Sequence, residues 1–146
     1  EGHGSMVYAI GDAFEGSWRG DVPDGQGVIN FVTGGKYSGR MANGQRHGRG
    51  TYRFANGDVY DGEHSHDMRE GRGTYTVAAN GGSWTQLSYY RGDVQVGEGV
   101  EWSNEKKAAW ALRDGRRVEE IDLKKALSLV AKIGLAIKNP PRPSAQ

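Results

Sequence analysis

Residues 37–62 read YSGRMANGQRHGRGTYRFANGDVYDG, and within this stretch the motif Tyr37-Ser38-Gly39 returns as Tyr60-Asp61-Gly62, twenty-three residues later. The same interval runs outward in both directions. Gly2, Gly25, Gly48 and Gly71 form one column and Gly4, Gly27, Gly50 and Gly73 a second; Gly16, Gly39 and Gly62 form a third, beside Phe14, Tyr37 and Tyr60. A period between roughly 20 and 50 residues marks a stacked architecture in which no unit buries its apolar face alone. Glu1-Gly2-His3-Gly4 aligns with Glu70-Gly71-Arg72-Gly73, so the N-terminus reads as the second half of an earlier unit and the chain as the C-terminal piece of a longer array.

Each unit divides into two short strands and a polar turn: Tyr37 to Met41, then Ala42 to His47, then Gly48 to Phe54. Because side chains alternate across a strand, Tyr37, Gly39, Met41, Gly48, Gly50, Tyr52 and Phe54 share one face, while Lys36, Ser38, Arg40, Arg49, Thr51 and Arg53 take the other. Neighbouring units repeat the division, with Phe14, Gly16, Trp18, Gly25, Gly27, Ile29 and Phe31 in one and Tyr60, Gly62, Gly71, Gly73, Tyr75 and Val77 in the next. Glycine weakens a strand by up to about 1 kcal/mol relative to alanine, so its regular use suggests that each glycine opens a slot for a ring. The predicted fold is mainly β: an elongated single-layer antiparallel sheet of stacked 23-residue hairpins with a C-terminal amphipathic helix as cap.

The pattern of Tyr-x-Gly, Gly-x-Gly starting nine positions after that glycine, and Asn/Asp-Gly before the next tyrosine resembles the MORN repeat family. Its strongest carriers are Tyr37-Ser38-Gly39 with Gly48-Arg49-Gly50, and Tyr60-Asp61-Gly62 with Gly71-Arg72-Gly73. The resemblance implies a scaffold with protein partners, in cytoskeletal or membrane-adjacent assemblies, sometimes fused to an enzyme domain. On this reading residues 1–10 belong to a truncated preceding repeat and 11–79 hold three repeats. Residues 80–104 form a degenerate terminal repeat, in which Tyr90-Arg91-Gly92 and Gly97-Glu98-Gly99 keep the signature around a shortened hairpin. Residues 105–138 supply a strand and helix cap, and 139–146 a flexible tail with a polyproline-like Pro140-Pro141-Arg142-Pro143.

For the helix, Asp122 reads as N-cap, Leu123 to Ile133 as the body and Gly134 as the C-terminal stop. Leu123, Leu127 and Val130 form its apolar stripe, with Ala126 and Ile133 beside it, and the expected position is over the aromatic face of the last repeats. A membrane-surface helix and an exposed recruiting helix are the alternatives.

Composition narrows function. The chain has no cysteine, 24 glycines and a mean hydropathy of -0.73, which excludes disulfides, thiolate metal sites and a cysteine nucleophile. Residues 1–104 carry nine Lys/Arg against thirteen Asp/Glu, and residues 105–146 ten against five. The array is therefore a poor match for nucleic acid. One unit is nonetheless locally basic through Lys36, Arg40, Arg46, Arg49 and Arg53, a candidate contact for anionic lipid. The histidines offer no metal triad, since His64 and His66 share a face without a suitably spaced third ligand, and they are expected at the surface. The glycine pairs lead into strands rather than helices, so they are architectural and not phosphate loops. No catalytic residues and no cofactor are expected. The candidate site is an aromatic groove of Trp18, Tyr37, Tyr52, Tyr60, Tyr75, Trp84 and Trp102, taking an extended or helical segment of another protein or a second copy of the chain. Weak anionic lipid binding and service as a regulatory appendage to an upstream enzyme are the alternative roles, in a cytoplasmic, cytoskeletal or membrane-associated setting.

Overall fold

A computed structural model describes residues 2–78, 83–103, 105 and 107–134. The tail expected at 139–146 lies outside the described residues. Eleven strands form one antiparallel sheet in chain order: β1 (Gly2–Val7), β2 (Ala13–Arg19), β3 (Val22–Asn30), β4 (Lys36–Ala42), β5 (Gln45–Arg53), β6 (Val59–Ser65), β7 (Met68–Val77), β8 (Trp84–Arg91), β9 (Val94–Ser103), β10 (Ala109–Arg113) and β11 (Arg116–Ile121). One helix follows, α1 (Leu123–Ile133). Every strand pairs with its neighbour in sequence, as short polar connections dictate.

The connections correct one expectation. The turn within the unit is not Ala42 to His47 but only Asn43-Gly44, both in the left-handed region at φ 51° and 79°. Asn-Gly is the pair that a two-residue hairpin turn requires, because both central residues take positive φ. Asp114-Gly115 repeats the geometry at 52° and 80°, and His66-Asp67 adopts it without glycine at 52° and 67°. The three residues thereby returned to β5 are absorbed by an irregularity: Gly39 to Met41 on β4 faces Gly50 to Arg46 on β5. Gly48 sits at this bulge with φ 74°, and Gly71 in the next unit with φ 86°. These two glycines serve backbone conformation rather than ring slots.

The slots belong to another column. A Cβ on Gly50 would lie 2.4–2.6 Å from the Tyr37 ring and hydroxyl, and one on Gly73 2.4–2.5 Å from Tyr60. Each ring lies across the glycine platform and ends in a hydrogen bond, Tyr37 Oη donating to the Arg40 carbonyl and Tyr60 Oη to the Glu63 carbonyl, both at 2.7 Å. Both rings are fully buried.

The terminal unit is displaced from its expected alignment. Gly73 pairs with Ser88 and Tyr75 with Gln86, so Gln86-Leu87-Ser88, not Tyr90-Arg91-Gly92, occupies the Tyr-x-Gly position. The hairpin after it keeps its length, and the extra residues fall between Tyr75 and Gln86, where they lengthen β7 and β8 by one further pair, Val77 with Trp84, as well as their connection.

Cross-strand partners share a face, so rows of the sheet can be followed from strand to strand. One row runs Phe14, Ile29, Tyr37, Tyr52, Tyr60, Tyr75, Gln86, Glu101, Trp110 and Glu120. The adjacent row, on the other face, runs Glu15, Val28, Ser38, Thr51, Asp61, Thr74, Leu87, Val100, Ala111 and Glu119. At β8 the polarity of both rows reverses.

That reversal places α1. The helix packs on Leu87, Val100, Trp102, Ala109 and Ile121 through Ala126, Val130 and Ile133. It therefore covers the face opposite the tyrosines, and the expected cover over the aromatic face is wrong. The apolar residues of β8–β10 stand on the side that is polar in the repeats, and an apolar helix stripe follows them. The buried stripe is Ala126, Val130 and Ile133, with Leu123 and Leu129 half-buried against the same cluster, while Leu127 is exposed. Its caps are as expected: Asp122 Oδ1 accepts the Lys125 N–H at 2.7 Å, and Gly134, at φ 81°, donates to the Val130 carbonyl at 3.0 Å. Lys132 pairs with Glu98 at 3.0 Å, and Arg72 Nη1 donates to the Gly134 carbonyl at 3.2 Å.

Candidate functional site

The tyrosine face has two layers. Its floor consists of the first-strand rings Phe14, Tyr37 and Tyr60 with wedges between them: Met41 packs with Phe14 and Tyr37, His64 stands edge-on to Tyr37 and Tyr60 at 5.1 Å, and Tyr90 stands edge-on to Tyr60 at 5.2 Å. Above the floor, half-buried rings form a continuous rim: Phe31 to Tyr52 at 5.4 Å, Tyr52 to Phe54 at 4.6 Å, and Phe54 to Tyr75 at 5.5 Å. Such spacings suit tilted and edge-to-face aromatic contacts.

Three arginines lie over the rings. Arg46 approaches Tyr37 and Tyr52 at 6.0 and 5.4 Å; Arg69 approaches Tyr60, Tyr75 and Tyr90 at 5.8, 5.9 and 5.1 Å; Arg117 approaches Trp84 and Trp110 at 4.7 and 3.9 Å. Each is fixed by a carboxylate. Asp67 Oδ1 accepts from Arg46 N–H at 2.8 Å and Nε at 3.3 Å, and Asp93 Oδ1 accepts from Arg69 N–H at 2.8 Å and Nε at 3.2 Å. These clasps join successive hairpin turns, with the Asp67 and Asp93 carbonyls accepting from the Nη2 atoms. At the far end Arg117 Nε donates to buried Glu101 at 2.6 Å, Gln86 Nε2 donates to Glu101 at 2.7 Å, and Gln95 Nε2 donates to Gln86 at 2.9 Å. A polar network thus replaces the two rings that a regular repeat would place there, and its Gln86 and Gln95 line a cleft of about 450 Å³ with Arg69, Tyr75 and Asp93.

Burial sets the electrostatics of this face. It pushes the Tyr37 hydroxyl up to about 12 and raises Tyr60 and Tyr90 as well. Tyr75 is raised to about 12 by burial and by its 2.7 Å hydrogen bond to Asp58. Burial alone would raise Asp58, but hydrogen bonds from Ala78 N–H, Tyr75 Oη and Asn56 outweigh it and hold the carboxyl below its usual range. His64 is the exception to the expected surface histidines: it is 4% exposed, and burial, then Arg46, push its pKa down to about 4. His66 lies in the following turn, so the two do not form a pair on one strand.

The expected groove residues separate accordingly. Tyr52 and Tyr75 form the open rim, Tyr37 and Tyr60 the buried floor, and Trp18 packs edge-on to Phe14 at 5.3 Å. Trp84 stacks with Trp110 at 4.8 Å at the far end. Trp102 is not in the groove; it is fully buried on the opposite face beneath α1. Of the basic set, Lys36, Arg40, Arg49 and Arg53 lie on the polar face, with Arg49 paired to Asp61 at 3.7 Å, whereas Arg46 belongs to the tyrosine face. Phe31 and Phe54, which strand alternation puts on this face but outside the expected groove set, complete the site with Arg69 and Arg117; for Arg69 the 23-residue interval from Arg46 is the available signal. Among the described residues no group of three or more His, Asp or Glu is placed to hold a metal ion, and no helix is long and apolar enough to cross a membrane.

A single open sheet of hairpins, one face ringed by periodic aromatics and the other charged, defines a β-repeat protein. The family model of the MORN repeat matches residues 14–36, 37–59 and 60–78, in register with the hairpins, and the chain is a MORN repeat protein. No curated protein matches the sequence. MORN repeats are protein- and lipid-interaction modules, and the repeat itself is non-catalytic.

Proposed function

We propose that the chain is a non-catalytic scaffold that binds an extended or helical segment of another protein along the tyrosine face, in a cytoplasmic assembly at the cytoskeleton or a membrane. The observation that carries this reading is the position of α1. It covers the opposite face of the terminal unit and leaves the rim of Phe31, Tyr52, Phe54 and Tyr75 uncovered between Arg46 and Arg69. Aromatics and arginine are the side chains that most often anchor protein interfaces, because they desolvate large areas with few rotatable bonds. Lipid recognition has less support: the five basic residues fall on two faces, and the apolar stripe of α1 is already buried.

Two variants separate the readings. Tyr52, Phe54 and Tyr75 changed together to alanine should abolish partner capture, whereas Lys36, Arg40 and Arg53 changed together to glutamate should leave it intact. Flotation with anionic vesicles at physiological salt, lost only in the glutamate variant, would contradict the proposal.

A further inference from the structure

One side chain of the tyrosine face carries polar atoms that the packing of the repeats does not require. The hairpin registers Trp18 to Pro23, Met41 to Arg46, His64 to Arg69 and Tyr90 to Gln95 identify a single column, Trp18, Met41, His64 and Tyr90. Methionine fills the slot in the preceding unit by apolar contact alone. In the next unit the same slot holds a histidine, 4% exposed, whose Nδ1 and Nε2 both lack a hydrogen-bond partner. The backbone at Gly48 and Gly62 lies near enough only to oppose part of the fall in its pKa. Trp18 also has an unpartnered ring nitrogen, but that is a single donor beside Gly4 on the β1 strand. Leaving a buried polar group unsatisfied is costly, so a native instance calls for a structural or functional reason.

His64 lines a cleft of about 220 Å³ whose other walls are Arg46, Tyr52, Phe54, Arg69 and Asp93. The groups facing the imidazole are Tyr37 on β4, Arg46 on β5, Tyr60 on its own strand, Arg69 on β7, and Asp93 in the β8–β9 turn. Each arginine gives its Nε and Nη2 to an aspartate. Nη1 of each is outside those clasps. Two arginines and their two aspartates sum to zero charge, and His64 is neutral near pH 7. One added negative charge is therefore balanced by one proton taken up on His64, while a dianion would leave an uncompensated charge in a partly desolvated cleft.

We propose that the cleft over His64 is a carboxylate-recognition site, in which the side chain of an acidic residue of the docked partner segment lies between Arg46 and Arg69 and accepts a hydrogen bond from His64. The methylene groups of that residue rest on Tyr52 and Phe54. Binding favours the protonated imidazole, so affinity for the acidic segment rises as pH falls toward the raised pKa that His64 has in the complex and declines again where the carboxylate itself is protonated. The inference rests on the tyrosine face being the partner site, and it supplies one chemical requirement of that partner.

The test uses the whole chain labelled for NMR of the imidazole carbons, with N-acetyl-glutamate N-methylamide as probe and its glutamine counterpart and inorganic phosphate as controls. The glutamate probe should move the His64 resonance saturably and raise its pKa by about one unit or more, a tenfold change, while His47 stays still. His64→Met, which takes its side chain from the preceding repeat, should fold as well as the parent and bind the probe about tenfold more weakly or worse, with no gain at lower pH. Arg69→Gln should also weaken binding. An unmoved His64, an equal response to the glutamine probe, tighter binding of phosphate, or parental affinity in His64→Met would each overturn the assignment. If partner capture falls in the Tyr52/Phe54/Tyr75 variant but not in His64→Met, this site is refuted and the face stands. If capture survives the aromatic variant while the probe still titrates His64 in the parent chain, the face is refuted as the partner site, and what stands is a carboxylate site that the partner does not use.

Discussion

From β2 to β7 the sheet places Phe14, Ile29, Tyr37, Tyr52, Tyr60 and Tyr75 in one row and mostly polar groups in the row beside it, whereas at β8 and β9 the first row holds Gln86 and Glu101 and the second Leu87 and Val100. The strand pairing continues through the change, and only the polarity of the two faces is exchanged. A repeat can leave its aromatic face open because each first-strand ring, Phe14, Tyr37 and Tyr60, lies on glycine and has a wedge beside it. The terminal unit has no such brace, so it buries aliphatic residues under a helix. The two regions solve the single-sheet problem in different ways, and the helix on one side keeps the tyrosine face free on the other.

The largest expected effect is on the terminal unit. Deleting residues 122–146 uncovers Leu87, Val100, Trp102 and Ala109 and should cost about 3–5 kcal/mol, with aggregation. Thermal melting and light scattering check this; a monomeric truncation with an unchanged midpoint would mean that α1 is dispensable.

The next effect belongs to the repeats. His64 is held below its unfolded pKa of roughly 6.5, at about 4, so between those values the unfolded chain binds the proton that the folded chain refuses. Stability is complete above pH ~6.5 and declines as pH falls toward 4, by up to roughly 2–3 kcal/mol. His64→Met should remove most of that slope in denaturant titrations. An identical pH profile in the variant would show that the imidazole is not buried as described.

Gly50→Val comes third. Gly50 does not have positive φ, so the cost is overpacking against Tyr37, about 1–3 kcal/mol despite the better strand propensity of valine. Equal or greater stability would end the account of the ring slots. The smallest effect is electrostatic: Lys36 and Arg53 are direct cross-strand partners on the polar face. Lys36→Glu should add a few tenths of a kcal/mol, up to about 1, by turning repulsion into attraction, and a lower midpoint would contradict that.

Much of the repeat was legible because its signals are local. The glycine columns, the strand alternation and the helix caps at Asp122 and Gly134 depend on neighbours in sequence. The Asn43-Gly44 turn was equally local and was passed over in favour of a longer polar stretch. The terminal unit was harder to read because its tyrosines are substituted: with Gln86 at the ring position, Tyr90-Arg91-Gly92 offered a better match to the pattern than the true register. Placing α1 required knowing which side Leu87, Val100 and Trp102 face, and that depends on the same register. The sequence around His64 points to a surface residue because nothing in it announces a slot between two tyrosines; the column shared with Trp18 and Met41 does.

The central claim, that α1 lies on the face opposite the tyrosines, can be tested in the intact chain. The sequence has no cysteine, so Ser128→Cys gives a single site for a nitroxide label on the exposed side of the helix. Trp102 and Trp110 stand on adjacent strands and opposite faces and serve as internal references. The account predicts that the indole N–H signal of Trp102 broadens more strongly than that of Trp110, and that the Arg46 and Arg69 Nε–H signals stay sharp. Stronger broadening of Trp84 and Trp110 than of Trp102 would put the helix over the tyrosine face and contradict the account.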